Sequence, residues 1–484
     1  MSKFEKKQII KKSVDPDRWY TDVILRGELA DYSPVKGCMI IRPYGYELWE
    51  FIQSYLDGKF KELGVKNAYF PLFIPNGFLK REKEHVEGFS PQLAVVTVGG
   101  GEKLSEPLVV RPTSETIMYD TYSRWIQSWR DLPLLLNLWN NVVRWEKRTY
   151  LFLRTTEFLW QEGHTAHATF EDADNFARKI LSIYEKFDEE VLAIPVIVGR
   201  KSESEKFPGA AITYSLESLM PDGRAIQMGT SHHLGDNFAK AFNIKYLDKN
   251  GKQQYVWQTS WAETTRVIGA LIMSHGDDQG LVLPPAIAPI QVVIVPIKSE
   301  EKVLKYCRSL EKELRGAGIK IFLDDREEKT VGWKFNEWEL KGVPVRIEVG
   351  VKEIEAGELT VCRRDINSKL KIQMSRLSGG QANVKSEIVN LLTDIQKNLF
   401  EKMKKFRDEN THDVSTFEEF KGIMSGKKGF IRAFWCQNKE CEKRIKDETK
   451  ATTRVLPLNA KKENGNCIYC AKPAQYRWLF AQAY

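Results

Sequence analysis

The run from Arg144 to His164 constrains this chain more than any other. Arg144-Trp145-Glu146 is followed by a short loop, Arg154, and then Phe158-Leu159-Trp160-Gln161-Glu162-Gly163-His164. Two alternating runs around a loop predict an antiparallel hairpin whose side chains point to opposite faces in turn. The residue types on it suit a nucleotide. A planar guanidinium gives phosphate bidentate, charge-assisted bonds. Glu146 can accept from the exocyclic amine of adenine, and Phe158 offers a flat face for a base to stack on. The competing reading of this segment taken alone is a surface β-ribbon carrying charge pairs.

Two further constellations weigh against that plainer reading. Arg111-Pro112-Thr113-Ser114-Glu115 sets a hydroxyl and a carboxylate two residues apart, a cradle for a small ammonium group. The same residues also read as a helix N-terminus capped by Thr113 or Ser114. Downstream, Trp261-Ala262-Glu263-Thr264-Thr265-Arg266 runs into Val267-Ile268-Gly269-Ala270-Leu271-Ile272-Met273, a strand that turns into an apolar helix. A cation on the first turn of a helix opposes the macrodipole unless an anion sits there, so Arg266 is a candidate phosphate ligand.

Around these motifs the chain divides into three parts. Apolar residues recur at helical spacing from Tyr44 to Leu63, and Glu171 to Leu192 is a second amphipathic helix. Strand-like runs cover Leu134 to Trp145, Ile194 to Val198 and Ala225 to Met228. Together they predict an antiparallel sheet with helices packed on it, an α+β plan over residues 1–286. The stretch Ser274 to Pro285, rich in Gly, Asp and Pro, marks the border. Beyond it, strands at Gln291–Ile297, Lys320–Leu323, Val345–Val349 and Leu359–Arg363 alternate with helices at Glu300–Leu314 and Gly332–Leu340. That pattern predicts a small α/β domain with parallel pairing over 287–406, closed by a long helix from Val384 to Phe406. Residues 407–484 form the third part.

That third part holds a cysteine cluster, Cys436-x4-Cys441 and Cys467-x2-Cys470, whereas Cys38, Cys307 and Cys362 are solitary. Two thiol pairs separated by a loop have the spacing of a closed, structural zinc site. Disulfides and a site that has lost its metal are the rival readings. A formal net charge of +8 suits a polyanionic partner such as RNA, though many soluble proteins carry as much. No apolar run is long enough to span a bilayer, and Met1 to Lys12 lacks the apolar core of a secretion signal, so a cytoplasmic protein is expected.

The three constellations resemble motif 2, the amino-acid-binding loop and motif 3 of class II aminoacyl-tRNA synthetases, and specifically the prolyl-tRNA synthetases of archaeal and eukaryotic type. Tyr69-Phe70-Pro71-Leu72-Phe73-Ile74-Pro75 resembles motif 1. Gln227-Met228-Gly229-Thr230-Ser231-His232-His233-Leu234-Gly235 and His275-Gly276-Asp277-Asp278 also resemble that family, and the likeness runs from about Asp15 to the last residue. It implies a class II catalytic domain (1–286), an anticodon-binding domain (287–406) and a zinc-binding C-terminal domain (407–484). It implies an enzyme that activates proline with ATP and transfers it to tRNA(Pro), as a homodimer joined near motif 1. The editing domain that bacterial-type relatives insert between motifs 2 and 3 has no room between Glu162 and Trp261.

The resemblance also implies roles. Arg144 bridges the α-phosphate and the proline carboxylate, while Arg154 and Arg266 hold the β- and γ-phosphates. Glu146 reads adenine with Phe158 stacked on it, and Gln227, Thr230 and Thr264 add ribose or phosphate bonds. Mg²⁺ is expected with the triphosphate. Trp160, His164 and Phe89 form walls for the proline ring, with Thr113, Glu115 and Glu162 on its ammonium. Glu337, Lys341, Arg346 and Glu348, within and just after the aromatic and basic stretch from Trp333, are the candidates for anticodon guanines. The apolar tail Trp478-Leu479-Phe480-Ala481-Gln482-Ala483-Tyr484 is expected to dock on the catalytic domain. One departure stands out: where family members usually carry Gly after the motif 3 Trp, this chain has Ala262-Glu263. That adds a methyl at the floor of the slot and a carboxylate near Arg266. It is the one feature that favours the alternative, a catalytically silent tRNA-binding paralogue.

Overall fold

The computed structural model describes residues 9–79, 93–373 and 381–484. Among these residues the largest element is an eleven-stranded sheet. From one edge to the other its strands are Thr411–Asp413, Phe430–Phe434, Arg477–Gln482, Ala451–Pro457, Ile197–Arg200, Ile212–Leu219, Ala225–Gly235, Trp257–Thr264, Glu157–His167, Leu134–Val143 and Lys66–Asn67. Pairing is antiparallel throughout except at the outermost pair on each edge. The first four strands belong to the C-terminal part, so that part is not a free-standing module. Its strand Ala451–Pro457 pairs with Ile197–Arg200 through Leu456 opposite Arg200 and Pro457 opposite Gly199.

Register decides which side chains meet. Trp160 lies opposite Asn140 and Thr264, Glu162 opposite Leu138 and Ala262, and His164 opposite Leu136 and Ser260. Because the side-chain period of a strand is two, Trp160, Glu162 and His164 share one face with Ala262 and Thr264. The helix Phe170–Lys186 packs on the other face through Ala173, Phe176, Ala177, Ile180 and Tyr184, and Thr169 caps it by accepting from the Asp172 amide at 3.1 Å. Trp261 is buried on that face, with its ring 4.8 Å from Phe60. It fills the space left by Gly163, where a Cβ would meet the indole at 2.1 Å.

The structure adjusts several sequence expectations. The helix expected over Glu171–Leu192 ends as α-helix at Lys186 and continues as a π-helical turn, Phe187–Val191, which the same apolar spacing does not distinguish. The strand expected to end at Met228 runs on to Gly235, because its second half is polar yet buried. The strand Ile212–Leu219 went unread for the same reason: Thr213, Ser215, Glu217 and Ser218 are all buried. The second domain is a mixed five-stranded sheet rather than a purely parallel one. Val292–Pro296 pairs in parallel with Ile321–Leu323 and Val345–Val349, while Glu358–Arg363 and Ser368–Gln373 add antiparallel strands. The long helix spans Gln381–Glu409, so the 406/407 border falls inside it. Its Gln396 donates to the carbonyls of Glu190 and Val191 in the π turn, at 2.8 and 3.2 Å. Arg364 clamps Asp277 with two bonds of 2.6 Å, tying the second domain to the border segment.

Candidate active site

A cavity of about 300 Å³ opens on the face shared by Trp160, Glu162 and His164. Its two ends differ in chemistry. At the carboxylate end, Glu162 is 2% exposed and fully engaged. It accepts from the Ser114 amide at 3.1 Å, the Ser114 hydroxyl, Asn140 Nδ2 at 2.9 Å and His164 Nε2 at 3.0 Å. Burial alone would push this carboxyl up, but the bonds from His164, Ser114 and Asn140 outweigh it and hold it below the usual carboxylate range. The same pair holds the His164 imidazole above its ordinary value against the opposing pull of burial. Thr113 Oγ1 donates to Glu115 Oε2 at 2.5 Å. Ser114 does stand at the N-cap of a helix, Glu115–Trp125, yet its side chain makes no cap bond. The hydroxyl goes across to Glu162 instead, so the segment does begin a helix but neither Thr113 nor Ser114 caps it with its side chain.

At the other end are the arginines. Arg144 donates from Nε to the Pro112 carbonyl at 3.0 Å, and its guanidinium lies 5.6 Å from the Phe158 ring and 5.1 Å from Trp160. Burial, only partly countered by Glu115, lowers it to about 10, which leaves it protonated near neutrality. Arg154 approaches Glu146 at 3.6 Å. Arg266 begins the helix Arg266–His275 and is held through Nε to the Leu153 carbonyl at 3.2 Å. Burial and the like charges of Arg154 and Arg454 push it below the usual guanidinium value. Gln227, Thr230 and Thr264 line the same cavity. One end therefore suits an ammonium, the other a chain of phosphates.

Three comparisons match this arrangement. The class II synthetase core domain for Gly, His, Pro, Ser and Thr matches residues 99–275, an anticodon-binding domain 291–380, and the prolyl-tRNA synthetase C-terminal domain 417–484. The proline–tRNA ligase of Natranaerobius thermophilus is 52% identical over 483 residues, 99% of this chain and 98% of its own. That of Chloroherpeton thalassium is 52% identical over 486 residues, 99% of each. The crystal structure of a Cryptosporidium parvum prolyl-tRNA synthetase, solved with halofuginone and AMPPNP, superposes with a TM-score of 0.94 at 43% identity and covers 99% of this chain and 100% of its own. The chain belongs to the prolyl-tRNA synthetases, class II, of archaeal and eukaryotic type.

Within that synthetase frame the cavity gathers every ATP and proline candidate read from the sequence except Phe89, which lies outside the described residues. Its lining also includes Phe207, Thr213, His232 and Ser260, to which the sequence reading gave no role. His232 Nδ1 and Thr213 Oγ1 are 3.0 Å apart, and the imidazole stacks on Phe207 at 4.6 Å. Burial pushes this histidine down to about 3, so it is neutral. Polar residues inside an apolar alternation were the available signal. Ala262 does line the cavity, whereas Glu263 points to the opposite face, where a Cβ on Gly229 would meet its Oε2 at 2.6 Å. Burial and the Asp188 carboxyl push the Glu263 carboxyl well up.

The anticodon candidates sit differently. Glu337, Arg346 and Glu348 are buried and paired internally: Arg346 with Glu339 at 2.9 Å and Glu348 at 3.1 Å, and Glu337 with Arg326 at 2.6 Å. Lys341 reaches Glu28 of the catalytic domain at 3.1 Å. In the C-terminal part the four cysteine sulfurs lie within 4.8 Å of one another, with Cys436 Sγ 3.8 Å from Cys441 and 3.7 Å from Cys470. A disulfide needs about 2.05 Å. Ligand bonds of about 2.3 Å in a tetrahedron give sulfur separations of about 3.8 Å, which these match. The helix Pro43–Glu62, which precedes the motif 1 stretch, buries Leu48, Ile52, Leu56 and Phe60 in the chain's own core, while Tyr69, Phe73, Val95 and Val98 are among the exposed apolar residues.

Proposed function

We propose that this chain is an active proline–tRNA ligase, forming prolyl-adenylate from proline and ATP and passing the prolyl group to the 3′ end of tRNA(Pro). The observation that carries this reading is the single cavity with an ammonium cradle (Thr113, Glu115, Glu162) at one end and Arg144, Arg154 and Arg266 at the other. The proline carboxylate is already ionised, so no general base is required. It attacks the α-phosphorus in line, and charge spreads over the phosphate oxygens. Arg144, wedged between the cradle and the phosphate end, bridges carboxylate and α-phosphate. Arg154 and Arg266 neutralise the departing β- and γ-phosphates, and Glu146 with Phe158 orients adenine. Gln227, Thr230 and Thr264 complete the hydrogen bonds. Trp160 and His164 wall the ring. Preorganised charge in a partly buried site lowers the barrier without moving a proton. Mg²⁺ arriving with ATP adds counter-charge that three arginines supply only in part.

The four cysteines hold one structural zinc, supported by the sulfur separations. Two chains pair through the exposed Tyr69, Phe73, Val95 and Val98 surface, and the protein works in the cytoplasm. In the anticodon-binding domain the candidates for anticodon contact remain Glu337, Lys341, Arg346 and Glu348; Arg346 lies 4.0 Å from the Phe335 ring and 3.1 Å from Glu348, and Lys341 lies 3.4 Å from Glu337. The test is exchange of labelled pyrophosphate into ATP. It should depend on proline, and exchange that ignores proline overturns the reading.

A further inference from the structure

A second cavity, of about 460 Å³, adjoins the phosphate arginines, and most of its lining has no part in the reading above. It shares a wall with the active site, since Leu153, Arg154, Gln227 and Arg266 line both. Arg148, Arg224, Arg454 and Tyr484 build its far side. Five of its lining residues are arginines, against Asp17 as the acid.

Two of the five are fixed in place. Arg454 gives Nε and Nη2 to Glu217 Oε2 at 2.8 and 2.6 Å. Arg224 gives Nε to Asp222 at 2.6 Å and lies 3.9 Å from the Tyr484 ring, whose hydroxyl donates to the same Asp222 at 2.5 Å. The wall itself is less neutralised. Arg154 has only its 3.6 Å approach to Glu146, and among the described residues no carboxylate forms an ion pair with Arg266. Like charges crowded this way repel one another unless an anion lies between them.

The direction of the reaction says which anion. In an in-line displacement a proline carboxylate oxygen bonds to the α-phosphorus, and the bond from that phosphorus to the α–β bridging oxygen breaks on the far side. The leaving group takes the bonding electron pair with it. Attack comes from the Glu115 and Glu162 end, so pyrophosphate departs toward Arg154 and Arg266, the shared wall. We infer that the second cavity is a subsite for leaving and returning pyrophosphate, with Arg148 and Arg224 as its binding residues beyond the wall. This rests on the ligase reading.

Exchange kinetics on the full-length protein separate the possibilities, because pyrophosphate and ATP are varied independently. Arg148→Gln and Arg224→Gln should each raise the KM for pyrophosphate roughly ten-fold, the loss of one charge-assisted contact. The KM values for ATP and proline should stay put. Arg224→Lys should recover much of the loss, because it keeps the positive charge facing the cavity. Arg148, being exposed, carries no packing burden, so its variant tests the idea even if Arg224→Gln disturbs Tyr484. An unchanged KM for pyrophosphate, or a parallel rise in the KM for ATP, overturns the subsite and leaves the ligase reading standing. A rise in the KM for tRNA alone would assign the cavity to an RNA backbone and overturn it too. Absence of proline-dependent exchange in the unaltered protein overturns both.

Discussion

Arg144 sits where burial and function oppose each other. Desolvation costs it, and Phe158, Trp160, Glu115 and the Pro112 carbonyl hold it charged. Arg144→Ala should therefore lose roughly 3–5 kcal/mol of transition-state stabilisation in kcat/KM, and exchange at the original rate would remove Arg144 from its role. The Glu162–His164 pair makes a pH prediction. Glu162 is depressed, so its contribution to stability is present above its unfolded value of about 4.3 and is lost as pH falls through the folded one. His164 is raised, so its contribution is present below its unfolded value of about 6.5 and is lost as pH rises through the folded one. Stability from the pair thus peaks between those two unfolded values. His164→Gln should flatten the alkaline limb of denaturation midpoint against pH, and an unaltered limb would contradict the pairing. At this scale the arginines and acids were legible in the sequence because each sits in a short string of unusual residue types. Asn140, which bonds both Glu162 and Trp160, was not, since a lone amide on a strand carries no chemical signature.

At the scale of elements, the central strands were readable by alternation and the polar ones were not. Leu134–Val143 shows its apolar pattern, while Ile212–Leu219 hides Glu217, buried at 0% and satisfied by Lys201 at 2.6 Å and by Arg454 from more than two hundred residues away. No local pattern encodes such a partner. The close pass of Gly163 and Trp261 is likewise a two-strand property. Gly163→Ala should drive a methyl into the indole and cost about 1–3 kcal/mol in chemical denaturation; no loss would mean the strands are farther apart than described. The C-terminal strand Arg477–Gln482 completes its own core through Trp478 and Phe480 and also reaches the catalytic domain, where the Tyr484 amide donates to the Ala225 carbonyl at 3.2 Å. Replacing Cys436 and Cys470 by serine should release zinc and lower exchange together, because the cysteine domain shares the catalytic sheet. Loss of metal with full exchange would show that the two are independent.

For the molecule as a whole, the three parts were legible because the hydrophobic pattern changes after Pro285 and four cysteines cluster near the end, but the 406/407 border was misplaced inside the helix Gln381–Glu409. The joining of the third part to the first sheet was not, because strand pairing across Leu456 and Arg200 leaves no mark in either segment alone. Dimer formation belongs to this scale: light scattering at micromolar protein should give twice the chain mass of 55.9 kDa, and a single-chain mass would reject pairing. So does fidelity. The residues from Glu162 to Trp261 fold into the catalytic sheet and its helices, leaving no inserted editing domain. On the ligase reading, discrimination against alanine is then expected to rest on the slot, at only about 1–3 kcal/mol per lost methylene. The most direct measurement is ATP–pyrophosphate exchange with each amino acid in turn. Proline should support it strongly and alanine weakly, with the others near background. Exchange driven by a different amino acid, or by none, would contradict the account.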